Sequence, residues 1–124
     1  MTETNTVFLY VSDAPASEHF YTRLLGIEPV TASPTFVLFV LPSGLALGLW
    51  NRDGVEPAAI GTGGGGEIGF KVKRTPQIDA IHADWQAKGA TIACPPTDLD
   101  FGRSFVALDP DGHRLRVYAV TQDG

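Results

Sequence analysis

Thr97 to Val120 reads TDLDFGRSFVALDPDGHRLRVYAV, and the way this stretch folds decides the architecture of the whole chain. Ser104 to Leu108 and Arg114 to Ala119 are rich in residues that favour extended backbone, with apolar side chains alternating along each run. Asp109, Pro110, Asp111 and Gly112 lie between them. Proline presets one turn dihedral, aspartate bonds to its own backbone two residues on, and glycine accepts a positive φ, so the stretch is predicted as a β-hairpin.

Upstream of the hairpin, Glu67 to Lys73 reads as a strand. Thr75-Pro76 is expected to cap and start a helix carrying Ile78, Ile81 and Trp85, which Gly89 ends, and a short strand follows near Ala90 to Cys94. The first half of the chain repeats that order. Val7 to Ser12 is a strand, and Asp13 and Pro15 open a helix that runs to about Leu25 with Phe20, Tyr21, Leu24 and Leu25 on one face; Gly26 stops it. A short strand near Ile27 to Thr31 precedes a hairpin of Thr35 to Leu41 and Leu45 to Trp50, joined by Pro42-Ser43-Gly44. Both halves therefore read β-α-β-β-β, an internal repeat within a single domain. The modules span about residues 1–60 and 67–120, joined by the glycine run 61–66. That run matches G-x-G-x-x-G, but a dinucleotide fingerprint must follow a strand and open a helix, whereas this one opens a strand. Glu67 also stands where a phosphate-binding loop needs lysine. The run reads as a mobile linker.

The chain has 124 residues, 44% of them hydrophobic, which suffices for a core without disulfides or a structural metal. Its formal net charge of −5 and the lack of a Lys/Arg cluster argue against nucleic acid and anionic membrane surfaces as partners. Cys94 is the single cysteine, so no internal disulfide can form and a reducing compartment is expected. Residues 1–6 are polar and no apolar run reaches about 18 residues. A cytoplasmic location is the expectation.

The wording Phe-Gly-Arg-Ser-Phe, Asp-Pro-Asp-Gly-His and an aliphatic-basic strand resembles the closing hairpin of the vicinal oxygen chelate superfamily, which holds glyoxalase I, the extradiol dioxygenases and the bleomycin resistance proteins. Within it the likeness is strongest to the phenazine-resistance members of the drug-sequestering branch. It is carried by Tyr10-Val11-Ser12, Ile27 to Val30, Trp50, Glu56-Pro57, Glu67-Ile68-Gly69, and Thr97-Asp98 through Phe101-Gly102-Arg103 to His113. The resemblance implies an α+β fold of two βαβββ modules whose curved, mixed sheets surround a cavity. It further implies a homodimer with aromatic-ligand sites at the protomer boundary, where Trp50 stacks on the drug.

Enzymes of the superfamily hold a divalent metal at positions that the resemblance matches to Thr6, Glu67 and Arg116. Of these only Glu67 is a ligand type, and arginine does not deprotonate near neutral pH. No metal or other cofactor is expected. His19 and His82 fall in helices and His113 in a turn, without a ligand at helical or strand spacing; each reads as a solvated or hydrogen-bonded structural residue. Cys94 reads as a small buried hydrophobe without a neighbouring base. Asp98, Asp100, Asp109 and Asp111 read as loop and turn caps rather than acid–base pairs.

An aromatic binding cavity remains. Alternation puts Thr6, Phe8 and Tyr10 on the face opposite Val7, Leu9 and Val11, and sends Gly48 and Trp50 to the same face as Phe8. Glycine beside tryptophan leaves room for a flat ring. Phe101, Arg103 and Arg116 complete the candidate set, the two arginines facing either a ligand carboxylate or a structural acid such as Asp98. The leading reading is non-catalytic sequestration of a planar aromatic compound, a phenazine-like antibiotic among the candidates. A metal-dependent lyase, isomerase or dioxygenase with an atypical ligand set is the alternative, and a scaffold module with a vestigial pocket is a third.

Overall fold

The computed structural model of the chain describes residues 4–121. The elements run β1 (Thr6–Val11), α1 (Ala14–Leu25), β2 (Thr31–Ala32), β3 (Phe36–Val40), β4 (Ala46–Asn51) and a 3-10 turn at Arg52–Gly54. They continue as β5 (Glu67–Lys71), α2 (Pro76–Ala87), β6 (Thr91–Leu99), β7 (Gly102–Leu108) and β8 (Arg114–Val120). The chain divides into two compact units, one up to Thr62 and one from Gly63. Each contains a four-stranded sheet, in the orders β1-β4-β3-β2 and β5-β8-β7-β6. In both, the helix carries the chain back after the first strand and two hairpins then reverse it twice. The fourth strand therefore ends up parallel to the first, as the β1–β4 and β5–β8 pairings are, while the remaining pairs are antiparallel. This is the α+β arrangement of βαβββ modules expected from the repeat.

In the first unit, Asp13 caps α1 by accepting from Ala16 N–H at 3.1 Å, and Gly26 closes it in the left-handed region with φ 70°. The buried stripe is Ala14, Ser17, Tyr21 and Leu24, so the seam lies one step round from the expected one and leaves Phe20 and Leu25 at its margin. α1 packs on β3 and β4, where Tyr21 meets Phe39 at 6.3 Å between ring centres. The Asn51 side chain accepts from Ala14 N–H at 2.8 Å and ties the start of the helix to the end of β4. Val11, Val37, Phe39, Leu47 and Leu49 fill the helix side of this sheet. The strand expected over Ile27 to Thr31 is confined to Thr31–Ala32, because Pro29 has no N–H to give to a ladder.

In the second unit, Thr75 does not cap α2. It already has helical dihedrals and its side chain makes no cap bond; Gln77 reaches back instead and accepts from Arg74 N–H at 2.8 Å. At the other end Gly89, at φ 90°, lets Ala90 N–H reach the Trp85 carbonyl at 3.0 Å and its own N–H reach that of Gln86 at 3.1 Å. Trp85 stands edge-on to Phe70 and Phe105, at 5.8 and 5.4 Å, and with Ile78 and Leu115 forms the core beneath α2. β6 runs through Pro95-Pro96 to Leu99, well past the expected Cys94. It lies at the sheet edge and slips register between Ile92 and Cys94 and again between Cys94 and Thr97. Bulges on an edge strand are where prolines can be carried without breaking a ladder.

The turn between β7 and β8 is tied by Asp109, whose Oδ1 accepts from Asp111 and His113 N–H, both at 2.9 Å. Against that turn lies Gly63: a Cβ there would come within 2.6 Å of the His113 nitrogen. Gly61 is held through its carbonyl, which accepts from Arg52 Nη2 at 2.8 Å. Parts of the glycine run are thus built into their own units, a role that a mobile linker does not require.

Candidate functional site

Each unit buries one face of its sheet under its helix and presents the other, so the open faces are where a ligand can be met. In the first unit the register aligns Phe8 with Gly48, Tyr10 with Trp50 and Phe36 with Trp50. Strand alternation therefore places these side chains together on the open face. Trp50 is surrounded by Phe8 at 6.0 Å, Tyr10 at 6.4 Å and Phe36 at 6.4 Å, the last two nearly perpendicular to the indole. Perpendicular neighbours pack the indole edge to face and hold its orientation. Phe8 is 50% exposed and Tyr10 38%, an unusual display of aromatic surface on one sheet face. Thr6, the first of the expected metal positions, begins the same strand.

Gly48 does not leave the vacant slot that its pairing with tryptophan suggests. A Cβ there would meet Phe8 Cδ1 at 2.8 Å and Phe36 Cε1 at 3.2 Å, so the space above it holds the protein's own phenyl rings. The absence of a side chain at 48 lets those rings settle beside Trp50. Phe36 is missing from the candidates drawn from the sequence, yet its alternation in β3 pointed to the face opposite Val37 and Phe39. Only its cross-strand partner had to come from the fold.

The second unit carries a groove of about 640 Å³ lined by Glu67, Gly69, Phe101, Arg116 and Tyr118, together with the aliphatic Leu99 and Val120. Phe101 and Tyr118 stand perpendicular at 6.2 Å, and Tyr118 leans over Gly69, where a Cβ would come within 3.1 Å of its ring. Arg116 Nε donates to Glu67 Oε1, Nη2 reaches Glu67 Oε2 at 3.4 Å, and Nη1 donates to Ser104 Oγ at 2.9 Å. Arg114 Nε lies 3.4 Å from Glu67 Oε2. Of the expected groove residues, Phe101 and Arg116 are here. Tyr118, Leu99 and Ser104 were not foreseen, although Tyr118 shares the parity of Arg116.

Arg103 is elsewhere. It alternates with Ser104 and so shares the helix side with Phe105, where it donates to both carboxylate oxygens of Asp79 on α2, at 3.0 and 2.9 Å. Nη1 also donates to Asp98 at 2.8 Å. The guanidinium bond holds the Asp79 carboxyl below its ordinary range, and the two acids push Arg103 further toward its protonated form. Arg103 thus clamps helix to sheet, the structural acid being its partner.

The residues at the expected metal positions do not suit a divalent ion. Glu67 already shares its carboxylate between Arg116 and Arg114, and a cation beside two guanidinium groups would meet their repulsion. Among the described residues no group of three or more His, Cys, Asp or Glu is arranged to hold a metal. His82 packs on Phe105 at 5.3 Å, and Cys94, on the edge strand β6, is only partly buried, with its Sγ 3.6 Å from Thr97 Oγ1. No described helix is long and apolar enough to cross a membrane.

The family model of the Glyoxalase/Bleomycin resistance protein/Dioxygenase superfamily matches residues 4–117. Phenazine antibiotic resistance protein EhpR of Enterobacter agglomerans is 32% identical over 117 residues, which cover 91% of this chain and 88% of EhpR. A protein of Agrobacterium tumefaciens solved by solution NMR is 51% identical, with a TM-score of 0.87 and coverage of 98% of this chain and 99% of that one. A glyoxalase-related enzyme from Fulvimarina pelagi, 20% identical with a TM-score of 0.83 over 96% of this chain and 88% of its own, is alike in fold alone.

Proposed function

The chain belongs to the glyoxalase/bleomycin resistance protein/dioxygenase superfamily, and we propose that it binds and sequesters a planar aromatic small molecule without transforming it. A phenazine-like antibiotic is the guest proposed. The observation that carries this reading is the aromatic group of Phe8, Tyr10 and Phe36 around Trp50, with Phe8 and Tyr10 exposed. A flat guest on an indole gains stacking energy on the order of 0.5–1.5 kcal/mol beyond the area it buries. EhpR, a phenazine resistance protein, lends support as a relative along most of the chain. The donor set around Glu67 gives no comparable support to metal-dependent chemistry.

The same proposal includes a homodimer acting in the cytoplasm. Half-exposed aromatic residues on a sheet face favour a partner that covers them, and a lone cysteine suits a reducing compartment. Light scattering at micromolar concentration is expected to give a dimer, and a monomer there would remove this part of the reading.

The deciding experiment is titration with unsubstituted phenazine, followed by tryptophan quenching. Trp50→Ala should weaken binding by about 1–3 kcal/mol through lost stacking and burial. Trp85→Phe is the control, since Trp85 is buried under α2 between Phe70 and Phe105; it should keep both affinity and quench. A folded Trp50→Ala protein that binds phenazine as tightly as the parent would end the stacking proposal.

A further inference from the structure

The groove of the second unit has a feature that a neutral aromatic guest does not use. Two guanidinium groups, Arg114 and Arg116, share the single carboxylate of Glu67, so this cluster carries one positive charge in excess. Arg116 lines the groove and has five N–H donors. One on Nε and one on Nη2 face Glu67, and one on Nη1 goes to Ser104. Each terminal nitrogen therefore keeps a further N–H that bonds to no described residue. Two terminal N–H groups are what a carboxylate accepts in a bidentate pair. Beside them stand the rings of Tyr118 and Phe101, the Tyr118 ring lying over Gly69, and the apolar side chains of Leu99 and Val120.

We infer that this groove binds an aromatic carboxylic acid in its anionic form, the ring against Tyr118 and Phe101 and the carboxylate on Arg116. Glu67 has a double part. It holds the guanidinium in place with Ser104 on the other side, and it competes for the same positive charge, which keeps the affinity of an anion moderate and salt-dependent. Arg114 restores the charge that Glu67 removes. The inference rests on the planar-aromatic reading for the kind of ring, and adds the charged group that the ring carries and the side chain that selects it.

The test compares phenazine-1-carboxylate with unsubstituted phenazine by equilibrium dialysis on the full chain, at low and at high salt. The quantity read is the ratio of the two affinities. The wild-type protein should favour the acid by about tenfold at low salt, as a charge-assisted bidentate contact would give, and the preference should shrink as salt is added. Arg116→Met should bring the ratio close to one. Glu67→Gln should raise it, because the competing charge is gone while the amide oxygen still accepts from Arg116. Opposite shifts from two residues of one ion pair are not produced by a general loss of folding, and Glu67→Gln keeps the test alive if Arg116→Met fails to fold. An acid-to-neutral ratio near one in the wild type, or one that neither substitution moves, overturns the inference while leaving phenazine binding at Trp50 intact. Failure of both compounds to bind would overturn the planar-aromatic reading, and this inference with it.

Discussion

The open sheet faces of the two units differ although their chain paths are the same. In the first unit the face around Trp50 is built of phenyl, phenol and indole rings; in the second the corresponding strands carry Glu67, Arg114 and Arg116 beside Tyr118. The helix-facing sides, in contrast, are alike: aliphatic side chains around a fully buried phenylalanine, Phe39 in the first unit and Phe105, joined by Phe70, in the second. The shared fold is thus held by the covered sides, where volume and shape must match. The open sides carry no such constraint, so one became aromatic and the other ionic.

That division can be broken first at the core. Phe105→Ala, which removes a ring packed on Trp85 and His82, should cost about 3–5 kcal/mol of stability. Phe8→Ala on the half-exposed open face should cost about 1 kcal/mol. Denaturant unfolding of both variants measures the gap; equal losses would show that the aromatic face is as structural as the core.

Glycines separate tied backbone from open surface by smaller amounts. A Cβ at Gly102 would lie 1.9 Å from the Ala119 carbonyl oxygen, and one at Gly63 2.6 Å from the His113 nitrogen. Backbone in a ladder or a tied turn cannot step aside, so each alanine should cost about 1–3 kcal/mol, Gly102 the more. Gly48→Ala meets only ring atoms of Phe8 and Phe36. Because Phe8 can swing outward, its effect should fall on phenazine affinity more than on melting temperature. Gly65 has open space around it, and Gly65→Ala should be neutral or stabilise by about 0.4–1 kcal/mol through the unfolded chain. A large loss at Gly65 with none at Gly63 would reverse the account of the glycine run.

The smallest effect concerns the Asp79–Arg103 clamp, which is exposed and screened. The Asp79 carboxyl lies below its ordinary value of 3.8 in the folded protein. Its contribution is therefore fully present above that value and is lost as pH falls through the lower, folded one. The melting temperature of Asp79→Asn should lie slightly below that of the parent from pH 5 to 7, and the two should converge below about pH 3.8. A difference that grows toward acid pH would contradict the clamp.

Element order was legible because it is written locally. Asp13, Gly26 and Gly89 punctuate the helices, Asp109 to Gly112 reverses the hairpin, and the repeat of β-α-β-β-β follows from spacing alone. Alternation within a strand also grouped Phe8 with Tyr10 and Gly48 with Trp50, since two residues apart always means the same side; the register of β1 on β4 joins the two pairs. Which side Arg103 takes was legible on the same ground from Phe105, once that phenylalanine is set in the core. What a side chain meets across strands is another matter. The pairing of Phe36 with Trp50, the filling of the space over Gly48 by Phe8, the capture of Arg103 by Asp79 and the sharing of Glu67 by Arg114 and Arg116 all depend on register between segments 14 to 49 residues apart. β6 likewise runs past Pro95-Pro96 only because it is an edge strand that can bulge. Local chemistry determines where the chain extends, coils and turns; contacts between distant segments are decided only when the strands pair and their faces are buried.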